Sequence, residues 1–396
     1  MIKAQSLLYA IYVCLLVSIV CGGLVYFFSI HTQLNAYYNT LEYNLIYNQS
    51  VVNYALNNNC IEEFSPQDEY IQAEISSRDH GLFKILIVKT VFKNDTVTST
   101  HMVGDKNLHK TGLYLSSMSK PLTYAGNVKL FGTTYLPSKK IESKIIDNNF
   151  NQIEQSGQLM VSDFLKSNSL ELKNIVEGYM RESRQHCEPL TFQSKNNSFI
   201  NKTSYLNVSK INSRMQFNGN VVIHAADTVK IEQGASLEDV IVSAPNIIIE
   251  KGFKGTLQAL ATNNILVKDS VTLEYPSALV MVSEGQNSNI DIHENVSIKG
   301  AIILAGASIQ SVKMNKINIS KNCKVLGDIY CDGVVELKSD IWGSVYTNGT
   351  SHTSPSGHYE NLLCGIEINP FQKPKYFVNV PIGKNRRFNG LVKKIY

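Results

Sequence analysis

The sequence predicts a mainly β protein: a single-stranded, three-sided β-solenoid carried on an N-terminal transmembrane helix, with a helical stalk and a small β-hairpin domain between them. Three observations predict it. Apolar or small residues return every six positions, at Ile223, Val229, Ala235, Ile241, Ile247, Phe253, Ala259, Ile265 and Val271. A second line runs two residues behind, through Ala225, Ile231, Leu237, Ser243, Ile249, Gly255, Ala261, Val267 and Leu273. Two-residue spacing is the strand period, which leaves the rest of each unit for a corner. The third observation is the uncharged apolar run from Leu7 to Ile30.

Residues 1–6 are expected in the cytoplasm and 7–30 in the membrane, where a helix of that length spans about 36 Å. A cleaved signal peptide is the rival reading, but the run is long for one and no small-x-small site closes it. Lys3 is the only Lys or Arg before Arg78, so the positive-inside rule places the N-terminus inside and the remainder outside. Residues 31–60 read as a helical stalk. Leu34, Tyr38, Leu41, Leu45, Val52 and Leu56 keep helical spacing, and neither Pro nor Gly occurs between Gly23 and Pro66.

Residues 61–108 hold two β runs, LFKILIVKTVF and TVTSTHMV, around Lys93-Asn94-Asp95, and read as a hairpin domain. Short apolar alternation punctuated by Gly126 and Gly132 makes 109–137 the expected first solenoid coil. Residues 138–215 interrupt the pattern as an insertion with one helix over 170–184, whose Leu172, Ile175, Val176 and Tyr179 share a face. The main solenoid is expected over 216–350. Its coil is eighteen residues long, visible in Val229-x-Ile231, Ile247-x-Ile249 and Ile265-x-Val267. The unit that starts at Asn264 recurs at Asn289 and again at Lys316, each time after a longer step, and the extra residues are expected as polar loops on one edge near 283–289 and 308–316. Residues 351–396 form a C-terminal extension, in which Lys384, Arg386 and Arg387 interleave with apolar positions as terminal strands.

A net charge of +4 with 18% charged residues implies no polyanion partner, so nucleic acid is not expected. Of seven cysteines, Cys14 and Cys21 lie in the apolar run. Cys60, Cys187, Cys323, Cys331 and Cys364 show no C-x-x-C spacing, so neither a zinc site nor a full disulfide framework is indicated. Small buried apolar residues are the favoured role, with one or two bridges left open. Eight N-x-S/T triplets occur, but Asn295 and Asn318 fall inside the strand repeat, as chance occurrences in an Asn-rich chain would.

The side chains that could carry chemistry are few. The six-residue register resembles that of hexapeptide acyltransferases, and the general base which that resemblance implies would be His224 or His293. Asp269, Glu274, Asp291 and Glu294 lie on successive coils and are the candidates for a carbohydrate-cleaving pair. His352 and His358, in SHTSPSGHYE, are a candidate metal pair, weighed against a loop that closes the solenoid. Solvated surface is the favoured reading of His293 and the carboxylates, and a closing loop that of His352 and His358, so no catalytic, cofactor-binding or metal residue is assigned and no small-molecule substrate is expected.

Three resemblances bear on this reading. NVSIKGAIILAG (295–306) and NCKVLGDIYCDGVVELKSDIWGSVYTNG (322–349) resemble the repeat of bactofilins, bacterial polymer-forming β-helix proteins, at Val325, Gly327, Ile329, Val335, Leu337, Ile341, Gly343 and Val345. That resemblance implies a right-handed three-sided helix that self-associates end to end. The six-residue register is also similar to the left-handed β-helix of hexapeptide acyltransferases, which leaves handedness open. The order of apolar helix, helical extension and small sheet resembles a pilin-like or pseudopilin-like subunit. The processing glycine and following glutamate of that family do not occur in MIKAQSLLYAIY, so a plain anchor is expected.

The expected function is that of a non-enzymatic scaffold, single-pass in a bacterial inner membrane, with its C-terminal part periplasmic or extracellular. Its expected partners are other copies or envelope proteins. The alternative is a β-helix enzyme or binding protein acting on envelope polysaccharide.

Overall fold

The computed structural model describes residues 2–58, 71–93, 95–106, 111–117, 120–146, 150–165, 169–189, 193–283, 288–306, 315–374, 376–377 and 387–395. The chain is mainly β, with one long apolar N-terminal helix. It divides into two units. One takes the residues up to Ser76 with Ile87–Ser99, and the other takes Ser77–Leu86 with Thr100–Ile395. The segment 61–108, expected as one small domain, is therefore shared between them.

In the first unit, helix α1 (Ile2–Asn58) is unbroken, as the lack of Pro and Gly beyond Gly23 allows. It is long and apolar enough to cross a membrane. Asn44, Asn48, Val51, Val52 and Ala55 are its buried face. Two asparagines there satisfy strand groups. Asn48 Nδ2 donates to Val88 O and Thr90 Oγ1, both at 3.2 Å, and Thr90 Oγ1 donates to Asn44 Oδ1 at 2.7 Å. Strands β1 (Ile71–His80), β2 (Phe83–Phe92) and β3 (Asp95–Gly104) lie in that order in a sheet whose fourth member is Gly390–Lys394. Sequence reading finds β2 and β3 but misses β1, whose IQAEISSRDH is too polar to show a strand pattern. It also leaves Gly390–Lys394 unassigned to this sheet, because Gly104, the partner of Gly390, lies near the other end of the chain.

The second unit is built of parallel ladders. In one, Ile223, Val242, Ala259, Leu279, Ile302, Ile329 and Val345 are successive partners. In another, Val229, Ile247, Ile265, Ile290, Ile317 and Val335 follow one another, so the regular step and the two longer steps expected after Asn264 are all present. A third runs through Leu273, Ile298, Val325, Ile341, Ile368 and Leu130. Side chains from all three meet in one apolar core. The stretches 284–287 and 307–314, where edge loops are expected, lie outside the described residues.

Two expectations are corrected here. The hexad line places Ile241 and Ser243 inward, but Val240 and Val242 point into the core while Ile241 joins a separate apolar cluster on the outer side. The cause is that the strand Val240–Ser243 is buried on both faces, so no alternation fixes its register. The step from Ile223 to Val242 is one position longer than the regular coil and the next, to Ala259, is one shorter, which restores the average. Helix α2 (Ser169–His186) covers this outer row with Leu172, Val176 and Met180, one side chain per turn.

The second correction concerns order. The segment expected as the first coil stands beyond the far end of the repeat, where Leu113 pairs with Val345 and Leu130 with Ile368. Part of the expected insertion extends the same ladders, because Ile141–Ser143, Gln152–Ser156 and Leu159–Val161 pair with 122–124, 127–131 and 134–136. Glu188–Pro189, Ser194–Asn197 and Ser204–Asn207 extend them at the opposite end.

Glycine is required where rungs crowd at a corner. A Cβ on Gly327 would lie 1.7 Å from the Gly300 carbonyl oxygen, and Gly327 has φ +145°, so any side chain there collides with the rung below.

Candidate functional site

Three titratable side chains stack at the corner that follows the second ladder. Asp269, His293 and Cys323 come from three successive rungs. His293 Nδ1 lies 3.7 Å from Asp269 Oδ1, and Asp269 Oδ1 also accepts from the backbone N of Glu294 at 3.3 Å. His293 thus has an acidic neighbour that spacing along the sequence does not reveal. Cys323 Sγ donates to the His293 carbonyl at 2.9 Å, and burial pushes its thiol pKa up. A thiol held protonated is a poor nucleophile, so this Cys/His/Asp column lacks an activated attacking group.

The four candidate carboxylates are not brought together as a set: Asp269 and Glu294 share this corner, and the other two stand apart from them. Glu274 pairs with Lys299 at 2.6 Å, while Asp291 accepts from Asn318 Nδ2 at 2.5 Å on a different ladder. His224 is buried, and its Nδ1 lies 2.8 Å from the Ser243 carbonyl. Burial lowers its pKa, which leaves it neutral and shielded from substrate. His352 and His358 lie on opposite faces of a two-stranded hairpin, Val345–Ser354 with Gly357–Glu360, where Thr353 is the partner of His358 and His352 of Tyr359. The period of two separates them, and a hairpin stands where a closing loop is expected. Among the described residues no group of three or more His, Cys, Asp or Glu is placed to hold a metal. Among the described residues Cys14, Cys21, Cys187, Cys323 and Cys331 carry free thiols. Cys60 lies outside the described residues.

The hairpin roofs a cavity of about 660 Å³ lined by Lys321, Asn322, Lys338, His352, Ser354 and Gly365. Beside it stands Glu336, which sequence reading misses because its significance depends on partners from other rungs. Its side chain is 7% exposed and accepts from Lys316, Lys338, the Thr353 backbone N and Thr353 Oγ1. Burial alone raises a carboxyl pKa, but these donors outweigh it and bring Glu336 down to about 2. A carboxylate whose oxygens are filled by four donors neither gives nor takes a proton at neutral pH. It serves to pin the hairpin to the ladder.

A third feature is the outermost rung. Ile141–Ser143, Gln152–Ser156 and Leu159–Val161 each have a registered strand partner on one side only among the described residues. Ile145, Phe150, Met160, Val161 and Phe164 on this rung are exposed, Phe150 to 86%. The opposite end is blunted. Pro189 carries no N–H there, and Arg78 Nη1 donates to the carbonyls of Ile200 and Asn201 at 3.0 and 2.8 Å.

Fold and site together define a mainly β chain of parallel ladders with an apolar N-terminal helix. Compared with known proteins, the chain matches no protein-family model, no curated protein and no solved structure.

Proposed function

We propose that this chain is a non-catalytic structural protein, anchored in a bacterial inner membrane by α1 and exposing its ladders in the periplasm or at the cell surface. In this reading the three ladders close into a three-sided β-solenoid of the bactofilin-like kind, and copies assemble through its open end. The observation that carries the reading is the outermost rung at 141–164. An unpaired strand edge bearing large apolar side chains is a template for another chain, and natural proteins blunt such edges, as this one does at its other end. A partner with the same three-sided section can pair all three edges at once, which a single strand cannot.

The test is the mass of the full-length protein in detergent, by size exclusion with light scattering, together with electron microscopy. Oligomers or filaments are expected, with Met160→Lys and Val161→Lys shifting them to monomer while the circular dichroism spectrum is unchanged. A wild-type chain that stays monomeric at high concentration, or that turns over envelope polysaccharide, overturns the reading.

A further inference from the structure

We propose that Lys393 and Asp239 condense to an intramolecular isopeptide bond, with Glu238 as the proton relay, so that the strand Gly390–Lys394 is covalently fastened to the ladder corner at 238–240. The inference is independent of the assembly reading, and it rests on a comparison of the ion pairs within the second unit. Lys393 Nζ lies 2.7 Å from Asp239 Oδ2 and 3.1 Å from Glu238 Oε1. The Asp239 side chain is 4% exposed, the lowest value among the carboxylates of the described ion pairs. Its second oxygen, Oδ1, is buried without a hydrogen-bond partner.

Glu336, the other deeply buried carboxylate among these ion pairs, shows what a purely structural ion pair looks like here: every oxygen has donors and the acid is strongly ionised. Asp239 is the reverse. Burial raises its pKa, and Lys393 only partly offsets this. An unsatisfied buried carboxylate oxygen is costly, and condensation relieves that cost by removing both charges and one oxygen.

Lys393 rests as the ammonium, because the two facing carboxylates outweigh burial and raise its pKa. Proton transfer along the short Lys393–Asp239 hydrogen bond gives the neutral amine and carboxylic acid, the reacting pair. The amine nitrogen then attacks Asp239 Cγ, and the Nζ–Cγ bond forms. The Glu238 carboxylate takes one proton from the nitrogen and returns it to the departing hydroxyl, so the Cγ–O bond breaks and one water leaves. No oxidant or cofactor enters. The Asp239 backbone is itself held in place, at φ +55° with its carbonyl 2.9 Å from His80 Nε2. Such fixed approach is what accelerates a reaction between neighbouring groups.

The experiment is the intact mass of the purified full-length chain, followed by peptide mapping. The expected wild-type mass is lower than the sequence mass by one water, with the Lys393 and Asp239 peptides recovered joined. Lys393→Arg keeps the ion pair and the fold and should restore the full sequence mass, while Glu238→Gln should leave a mixture. A wild-type chain of full mass with separate, unmodified Lys393 and Asp239 peptides refutes the proposal. So does a water loss that persists in Lys393→Arg, which would place the dehydration elsewhere.

Discussion

Acid should unfold the ladder unit through His80. This ring is 1% exposed, lies edge-on to Phe199 with centroids 4.9 Å apart, and sits with Nε2 2.9 Å from the Asp239 carbonyl. Its other nitrogen is buried without a partner. Burial lowers its pKa from 6.5 to about 4, the hydrogen bond to Asp239 opposing only weakly. The unfolded chain therefore takes up the proton first as pH falls. Stability is fully present above about pH 6.5 and is lost progressively down to about pH 4, by about 3 kcal/mol for this one residue. His101, also buried and likewise lowered to about 4, acts in the same direction.

His80→Gln keeps a donor for the Asp239 carbonyl but does not titrate. Trp342, the only tryptophan in the chain, lies in the same unit and reports unfolding by its fluorescence. Urea midpoints measured from pH 7 to pH 4 should fall less steeply in His80→Gln than in wild type, by about 3 kcal/mol over the range. Parallel pH profiles for the two proteins would refute the assignment of this proton to His80.

Other substitutions follow from the packing. Gly327→Ala should cost upward of about 3 kcal/mol or abolish soluble expression, because its Cβ meets the Gly300 carbonyl; thermal melting reads this. Gln258→Leu strands the Leu82 N–H, which donates to its Oε1, and the His80 carbonyl, which accepts from its Nε2, and should lower the unfolding free energy, read by urea titration, by about 2–4 kcal/mol. Glu336→Gln should remove an acid-sensitive increment. With a folded pKa near 2, the wild-type carboxylate contributes about 3 kcal/mol above pH 4.5 that disappears as pH falls toward 2, and the variant should show a flatter stability profile there.

The regular part of the fold is legible in the sequence because its strands in the second ladder alternate. Val229, Ile231, Ile247 and Ile249 are buried and the residues between them are half-buried, so periodicity reports the core directly. Where both faces are covered, as at Val240–Ser243 under α2, the pattern becomes continuous and the register slips by one residue. The long apolar N-terminal helix is legible from length and polarity alone. The candidate sites are not, because what decides them is pairing across rungs: Glu336 with Lys316, Asp269 with His293, and Asp239 with Lys393, each separated by a step that only the fold supplies. The fourth strand of the small sheet fails for the same reason, being distant in sequence from the edge it completes.

The displaced order of the ladder has a kinetic consequence. Leu113 and Val345 are neighbours in space but more than half the length of the chain apart in sequence. Synthesis runs from the N-terminus, so residues 111–161 emerge long before the 341–368 surface on which they are laid. Growth from a nucleus within 204–337 can run forward rung by rung through near-sequence pairings, but its last step must close a loop that takes in the whole repeat. During that interval the segment 111–161 has its own local pairings but not the rung on which it is laid, and premature chain termination upstream of Ile341 leaves that face uncovered permanently. A nascent chain of this protein therefore carries one uncovered strand edge until its late residues arrive.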